Sequence, residues 1–286
     1  MTSNRKISSI YGKKFKLKDF LLNIVLYLSF ILVSIIFAFF FFHVFSKGLE
    51  FFNLKLIFDR KDGILPFIIN TIYVVVLTLL IATPIGVGCS IYLTQYCKKE
   101  SLFNFISFTT NILASIPSIL FGLFGFSLFC VGFGAGQSIL AGTLTLCCAV
   151  LPNIIETTKE SLLAVPSSYK SGALALGASK FKVIFNLIVP SALPGILTAL
   201  ILSAGKIIGE SASLLLTIGG SNRMPEGFLS HIFESGKTLT LHLYYTAGAA
   251  VQKNSIELCY STAIVLIIFS LVLNILAKSI NSFFKK

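Results

Sequence analysis

Apolar residues in this chain fall in long runs, separated by short stretches that carry the charges, glycines and prolines. A helix needs about 20 apolar residues to cross a hydrocarbon core of roughly 30 Å. Six runs satisfy that length. The first is Phe20 to Phe45. The second is about Pro66 to Tyr96, long enough to predict tilt or a break near Pro84-Ile85-Gly86. Fifty-five consecutive residues, Ser101 to Ile155, carry no charge. Gly132-Phe133-Gly134-Ala135-Gly136 divides that block by a hairpin into a third span, about Phe105 to Val131, and a fourth, about Gln137 to Ile155. The fifth begins near Leu187 and passes Lys206 and Glu210, and the sixth is Leu258 to Ala277. This pattern predicts an all-α polytopic integral membrane protein of about six transmembrane helices.

Composition agrees. Charged residues make up 12% of 286, mean hydropathy is +0.90 and 55% of residues are hydrophobic. Soluble domains carry about 25% charged residues. The net charge of +12 would suggest nucleic acid in a soluble chain, but its distribution points to membrane topology. With six spans, fifteen basic residues share a side with both termini: six in the N-terminal tail, Lys98 and Lys99, four in the stretch 156–190, and Lys278, Lys285 and Lys286. Seven lie opposite (Lys47, Lys55, Arg60, Lys61, Arg223, Lys237, Lys253). The positive-inside rule then predicts both termini in the cytoplasm. Phe39-Phe40-Phe41-Phe42-His43 offers no small-residue cleavage site, so the first span is expected to remain as an anchor. The six cysteines show no metal-ligand spacing, and His43, His231 and His242 share none either.

Lys206-Ile207-Ile208-Gly209-Glu210 is the one polar interruption within the fifth span. Each ionisable side chain at the bilayer centre costs roughly 2.5–3.5 kcal/mol, so such residues mark pathways by default. At a spacing of four, Lys206 and Glu210 are expected on one helical face. The lysine would meet an anion and the glutamate would partly neutralise it when the path is empty. A structural ion pair fixing the helix is the competing reading. Lysine before glutamate is the weaker order for helix stability. Gly205 and Gly209 read as helix packing or as room for a substrate.

Two connections exceed a simple turn. On the expected cytoplasmic side, Glu156 to Val189 carries Ser171-Gly172-Ala173-Leu174-Ala175-Leu176-Gly177-Ala178-Ser179-Lys180. Gly177 there permits a sharp helix–turn–helix, and the small residues leave a flat surface for a partner, or for packing on the protein's own bundle. On the expected outer side, Thr217 to Glu257 holds Gly219-Gly220, Pro225 and an amphipathic stretch around Phe228 to Phe233.

Ser171-Gly172-Ala173, Gly177, Leu187 and Val189-Pro190 follow a spacing that resembles the EAA loop of ABC importer permeases. Ser171 stands where that family usually has Glu, and Gly172 where it has Ala. Three further stretches are similar to the PstA-type permease of bacterial phosphate uptake: Ile116-Pro117-Ser118-Ile119-Leu120-Phe121-Gly122-Leu123-Phe124-Gly125, Val189-Pro190-Ser191-Ala192-Leu193-Pro194-Gly195-Ile196, and Lys206 to Ala212. That branch usually has Arg at the place of Lys206 and often Pro at that of Ser213.

The resemblance implies a type I ABC importer permease fold with a cytoplasmic coupling helix, in a permease domain at 66–281 with the coupling loop at about 156–189. Residues 1–65 would hold the basic tail, the first helix and an outer loop. Ser171, Gly172, Ala173, Gly177, Ala178 and Ser179 would meet the ATPase, and Lys206, Glu210, Gly209 and Ser211 would line the substrate pathway. The implied partners are a second permease subunit, two cytoplasmic ATPase subunits that bind ATP and Mg, an external phosphate-binding protein and membrane lipid. Location would be the cytoplasmic (inner) membrane, and the mechanism alternating access. No cofactor, metal or catalytic residue is expected on this chain, which has no GxxxxGK[ST], HExxH or GxSxG. The alternatives are a permease for sulfate or molybdate, a proton-coupled secondary transporter using Lys206 and Glu210, and a structural membrane protein.

Overall fold

A computed structural model describes residues 14–52, 63–223, 227, 230–249 and 253–284. Sequence features at 1–13, 53–62, 224–226 and 228–229 lie outside the described residues. These include the first basic residues, Lys55, Arg60, Lys61, Pro225 and the start of the amphipathic stretch at Phe228. Among the described residues the chain is helical and contains no strand. Five helices are long and apolar enough to cross a membrane, or six if one bent pair counts as a span.

Helix α1 (Lys14–Phe51) is 38 residues, about 57 Å at 1.5 Å per residue. It is exposed from Lys18 to Phe42 and joins the bundle only at its far end. There His43 Nε2 lies 3.2 Å from the Tyr260 hydroxyl, and Ser261 donates to the Phe51 carbonyl at 3.1 Å.

Helix α2 (Leu65–Ile91) runs straight through Pro84 and ends in a π turn, Tyr92–Tyr96. Of the tilt or break expected near Pro84-Ile85-Gly86, the break is absent. Packing holds the helix together there: a Cβ on Gly86 would stand 2.6 Å from Ile154 Cγ2, and Ser90 donates to the Ile155 carbonyl at 2.8 Å. Without a solvent-like hydrophobic drive inside lipid, such close approach is what joins helices.

The third span departs from expectation in the opposite way. It is two helices, α3 (Glu100–Ser115) and α4 (Ser118–Gly125, extended by a π turn Phe126–Gly132), set 99° apart. Proline disfavours the helical region for its predecessor, and Ile116 accordingly sits at φ −68°, ψ 131°. The glycine hairpin follows as expected, with Gly134 and Gly136 at positive φ.

Helix α5 (Ile139–Leu163) starts at the Ser138 cap and continues eight residues beyond Ile155, where the apolar run ends. Helices α6 (Ser167–Ala175) and α7 (Lys180–Val183) form the anticipated helix–turn–helix, with Gly177 at φ +82°. A π turn, Ile184–Ile188, leads into α8 (Val189–Gly209). The fifth apolar run therefore begins at Lys180 and stops at Gly209. Short α9 (Leu214–Thr217), a 3-10 turn (Ser230–Phe233), α10 (Leu239–Gly248) and α11 (Lys253–Phe284) complete the order.

The core lies among α2, α5 and α8, where Ala82, Leu146, Val150, Ile154, Ile207 and Ile208 are buried together. A second cluster of Ile91, Leu162, Val183, Ile184 and Ile188 seats the α6–α7 loop, with Ala173 and Ala178 against it. Lys170 donates to Gln95 Oε1 at 3.0 Å, and Lys180 stands 4.3 Å from the Tyr96 ring centroid. The loop is thus tied to the π turn that ends α2.

Candidate functional site: a broken helix at mid-depth

Helix α8 stops at Gly209, Glu210 is extended (φ −81°, ψ 125°), and the chain resumes helix at Leu214. Each charge stands at the helix end that suits its sign. Lys206 is in the last turn of α8, where unpaired carbonyls make the helix end negative. Glu210 precedes α9 and its Oε1 accepts from the Ser213 N–H at 3.1 Å. Lys206 and Glu210 therefore do not share a helical face, and no ion pair joins them among the described residues. The expected i,i+4 pair is replaced by two separate bonds, because the helix ends between its members.

Lys206 Nζ donates to the Ala149 carbonyl at 3.1 Å. Pro152, three residues further along α5, cannot donate to the carbonyl of Cys148, the residue just before Ala149. Ala149 is ten residues into α5, about 15 Å below its start, or half the thickness of a hydrocarbon core. Lys206 is half-buried at that depth. An ammonium has three donors, so the bond to Ala149 leaves two for another acceptor.

Two of the singled-out stretches meet here. Gly122 of α4 lies so close to the break that a Cβ would stand 2.9 Å from Ser213 Cα and from the Ser213 carbonyl oxygen. Ile119, Ser211, Ala212, Leu215 and Tyr244 line a hollow of about 260 Å3 beside it. Ser213 Oγ is buried and has no hydrogen-bond partner among the described residues. Gly209 is exposed with open space around it, and Ser211 faces the hollow. Gly205 is likewise unpacked, so neither glycine serves helix contact among the described residues.

Sequence reasoning missed α10. Thr240 donates to the Ile208 carbonyl at 2.7 Å, and Tyr244 reaches the hollow. The only signal was the unusual length of the segment between the fifth and sixth spans. Beneath α10, Lys237 is buried against the Phe67 and Tyr245 rings and donates to Asn222 Oδ1 at 2.8 Å. His242 stacks on Phe67 at 4.0 Å, with neither ring nitrogen partnered among the described residues. Burial, and then the Lys237 charge, push the His242 pKa from 6.5 to about 4. Burial also lowers the Lys237 ammonium. Asn70 ties α2 to this cap, with its Oδ1 2.7 Å from His231 Nε2 and its amide donating to the Lys237 carbonyl.

The residues expected to dock an ATPase lie together on the α6–α7 loop. Ser171, Gly172, Gly177 and Ser179 are exposed, Ala173 and Ala178 are half-buried, and Leu176 is 90% exposed at the tip. Ser179 caps α7. The three-dimensional arrangement leaves this loop and the broken helix at separate levels of the bundle.

A helical bundle with a discontinuous span, ionisable residues at mid-depth and a projecting small-residue loop is a membrane permease. Residues 82–286 match the family of binding-protein-dependent transport system inner membrane components, and the chain belongs to that family. It is a permease subunit of an ABC importer. It is 30% identical over 233 residues to the probable ABC transporter permease protein YqgI of Bacillus subtilis, covering 78% of this chain and 79% of that protein. It is 31% identical over 241 residues to the phosphate transport system permease protein PstA of Xylella fastidiosa (strain Temecula1), covering 82% of each. The fold is similar to that of a bacterial alginate ABC transporter solved with its periplasmic protein (TM-score 0.68, 13% identity, 92% of this chain and 94% of that one). It is also similar to the MetNI methionine ABC transporter in inward-facing form (TM-score 0.59, 18% identity, 78% and 95%).

Proposed function

We propose that this permease carries inorganic phosphate into the cell. The observation that carries the reading is the meeting of Ile116–Gly125 with Lys206–Ser213 at one mid-depth break, with a lysine that keeps two donors free. Relatives named for phosphate transport, at about 31% identity, support the same cargo. A discontinuous helix is a recurrent way to form a substrate site in transporters. The ammonium offsets both the negative end of α8 and the charge of a passing oxyanion. Gly209 leaves the backbone approachable, Ser211 offers a hydroxyl, and Glu210 Oε2 can accept the proton of a monoprotonated phosphate.

In this reading both termini and the loop at 156–189 are cytoplasmic. Ser171, Gly172, Ala173, Gly177, Ala178 and Ser179 receive one of two ATPase subunits, a second permease completes the pathway, and an external phosphate-binding protein delivers the cargo. ATPase closure pushes the loop, and the bundle reorients around Lys206. Lysine is a point charge rather than a planar fork, so the site alone discriminates weakly between tetrahedral oxyanions. The test is ATP-dependent uptake of labelled phosphate by the reconstituted complex, with sulfate and molybdate as competitors. Competition by sulfate at equal concentration replaces phosphate with a broader oxyanion cargo. A proton relay between Lys206 and Glu210 has no support in a geometry that bonds each to a different partner.

A further inference from the structure

A second lysine is buried deeper than Lys206 and belongs to neither the pathway nor the residues of α6 and α7 that meet the ATPase. Lys159, about one turn from the end of α5, is 6% exposed. Its Nζ lies 2.7 Å from Glu156 Oε2 on its own helix and donates to Ser107 Oγ of α3 at 3.0 Å. It also stands 5.4 Å from the centroid of the Phe103 ring, again on α3. A buried ion pair adds little net stability compared with apolar residues of the same volume. Here the pair holds the ammonium in place within α5, and the directional tie to the second helix is the bond from Lys159 to Ser107.

The position of that tie matters. Beyond Lys159, α5 leads directly into the α6–α7 loop. Beyond Ser107, α3 leads to the Ile116-Pro117 bend and so to α4, whose Gly122 rests on Ser213 at the broken helix. We infer that the Glu156–Lys159–Ser107 clasp makes α3 follow α5, so that force on the docking loop reaches the mid-depth break through α3 and α4. Lys159 is then a positioning residue for coupling, and it touches no cargo. This role presupposes that the α6–α7 loop receives the ATPases.

The test uses the full complex in liposomes and reads phosphate accumulated per ATP hydrolysed. The variants are Lys159→Met, the neutral pair Glu156→Gln/Lys159→Met, Lys159→Arg and Ser107→Ala. With the neutral pair, assembly and hydrolysis persist while the ratio falls about five-fold or more, the low end of known inter-site couplings. Lys159→Arg keeps most of the ratio, because its fork can still reach both oxygens. Ser107→Ala, which cuts the hydrogen bond to α3 and leaves the ion pair and the Phe103 contact, also lowers the ratio. An unchanged ratio in the neutral pair overturns the role, as does loss of hydrolysis and uptake in equal proportion. If the Lys159 variants fail to assemble, an unchanged ratio in Ser107→Ala overturns it instead. A wild-type complex that accumulates sulfate rather than phosphate removes the cargo assignment alone, and the ratio is then read with sulfate.

Discussion

Lys206 and Lys159 are both lysines within apolar helices, and their surroundings differ in kind. Lys159 has a carboxylate at 2.7 Å and is buried; its charge is balanced inside the chain. Lys206 has only a neutral carbonyl at 3.1 Å and is half-buried; its charge is not balanced by any ion pair among the described residues. A charge paired on its own helix, with a further bond to Ser107 of the next, is suited to holding two helices in register. An incompletely paired one is suited to meeting an anion that comes and goes. The difference lies in the third dimension, since spacing alone makes Glu210 the partner of Lys206.

Substitutions can break or sharpen this contrast. The largest effect is expected at Lys206→Ala, which should cut uptake by about two orders of magnitude, as loss of one preorganised charge partner does elsewhere. The complex should still assemble, and normal uptake would remove Lys206 from the pathway. Gly177→Val comes next. Its φ of +82° is one a β-branched residue adopts only at a cost of roughly 1–3 kcal/mol, so the loop deforms. ATPase attachment should be lost in a pull-down while membrane insertion continues; retained attachment and transport would show that the dock lies elsewhere.

Glu210 separates cap from cargo. Glu210→Gln keeps an oxygen for the Ser213 N–H and loses only the charge, so slower uptake identifies a role with substrate. Glu210→Ala also removes the cap, worth about 1 kcal/mol. Equal uptake by the Glu210→Gln variant and the unaltered protein would leave Glu210 as a cap alone.

The smallest effect on uptake at neutral pH concerns His242. Its ring is neutral when buried, with a pKa below that of an exposed histidine. The stability this contributes is full above about pH 6.5 and is lost as pH falls toward about 4, up to roughly 3 kcal/mol by linkage. Protection against hydrogen exchange at residues 239–248, taken relative to the intrinsic rate at each pH, should therefore fall between about pH 7 and about pH 4.5, and His242→Leu should remove that dependence. Equal protection at both pH values in the unaltered chain would count against it.

Much of this architecture is legible in the sequence. The apolar runs locate the spans, Gly132–Gly136 marks the hairpin, and Gly177 marks the turn of the docking loop. Proline is ambiguous. Pro84 lies inside a continuous helix, because α5 packs against the same turn through Gly86 and Ser90. Pro117 splits a span by 99°, and the chain after the bend packs on Ser213 instead. A missing N–H permits a break, and neighbours decide whether it happens.

The order of charges, glycines and apolar runs was sufficient on its own to establish a polytopic helical membrane protein, its projecting loop and the singular position of Lys206. Those features depend on solvation and backbone geometry that each segment carries with it. The partners of Lys206 and Glu210, the different surroundings of the two lysines and the cap formed by α10 were settled only by tertiary packing. A hydrogen bond across more than fifty residues, such as that between Lys206 and Ala149, is chosen by which helices touch, and local sequence holds no record of that choice.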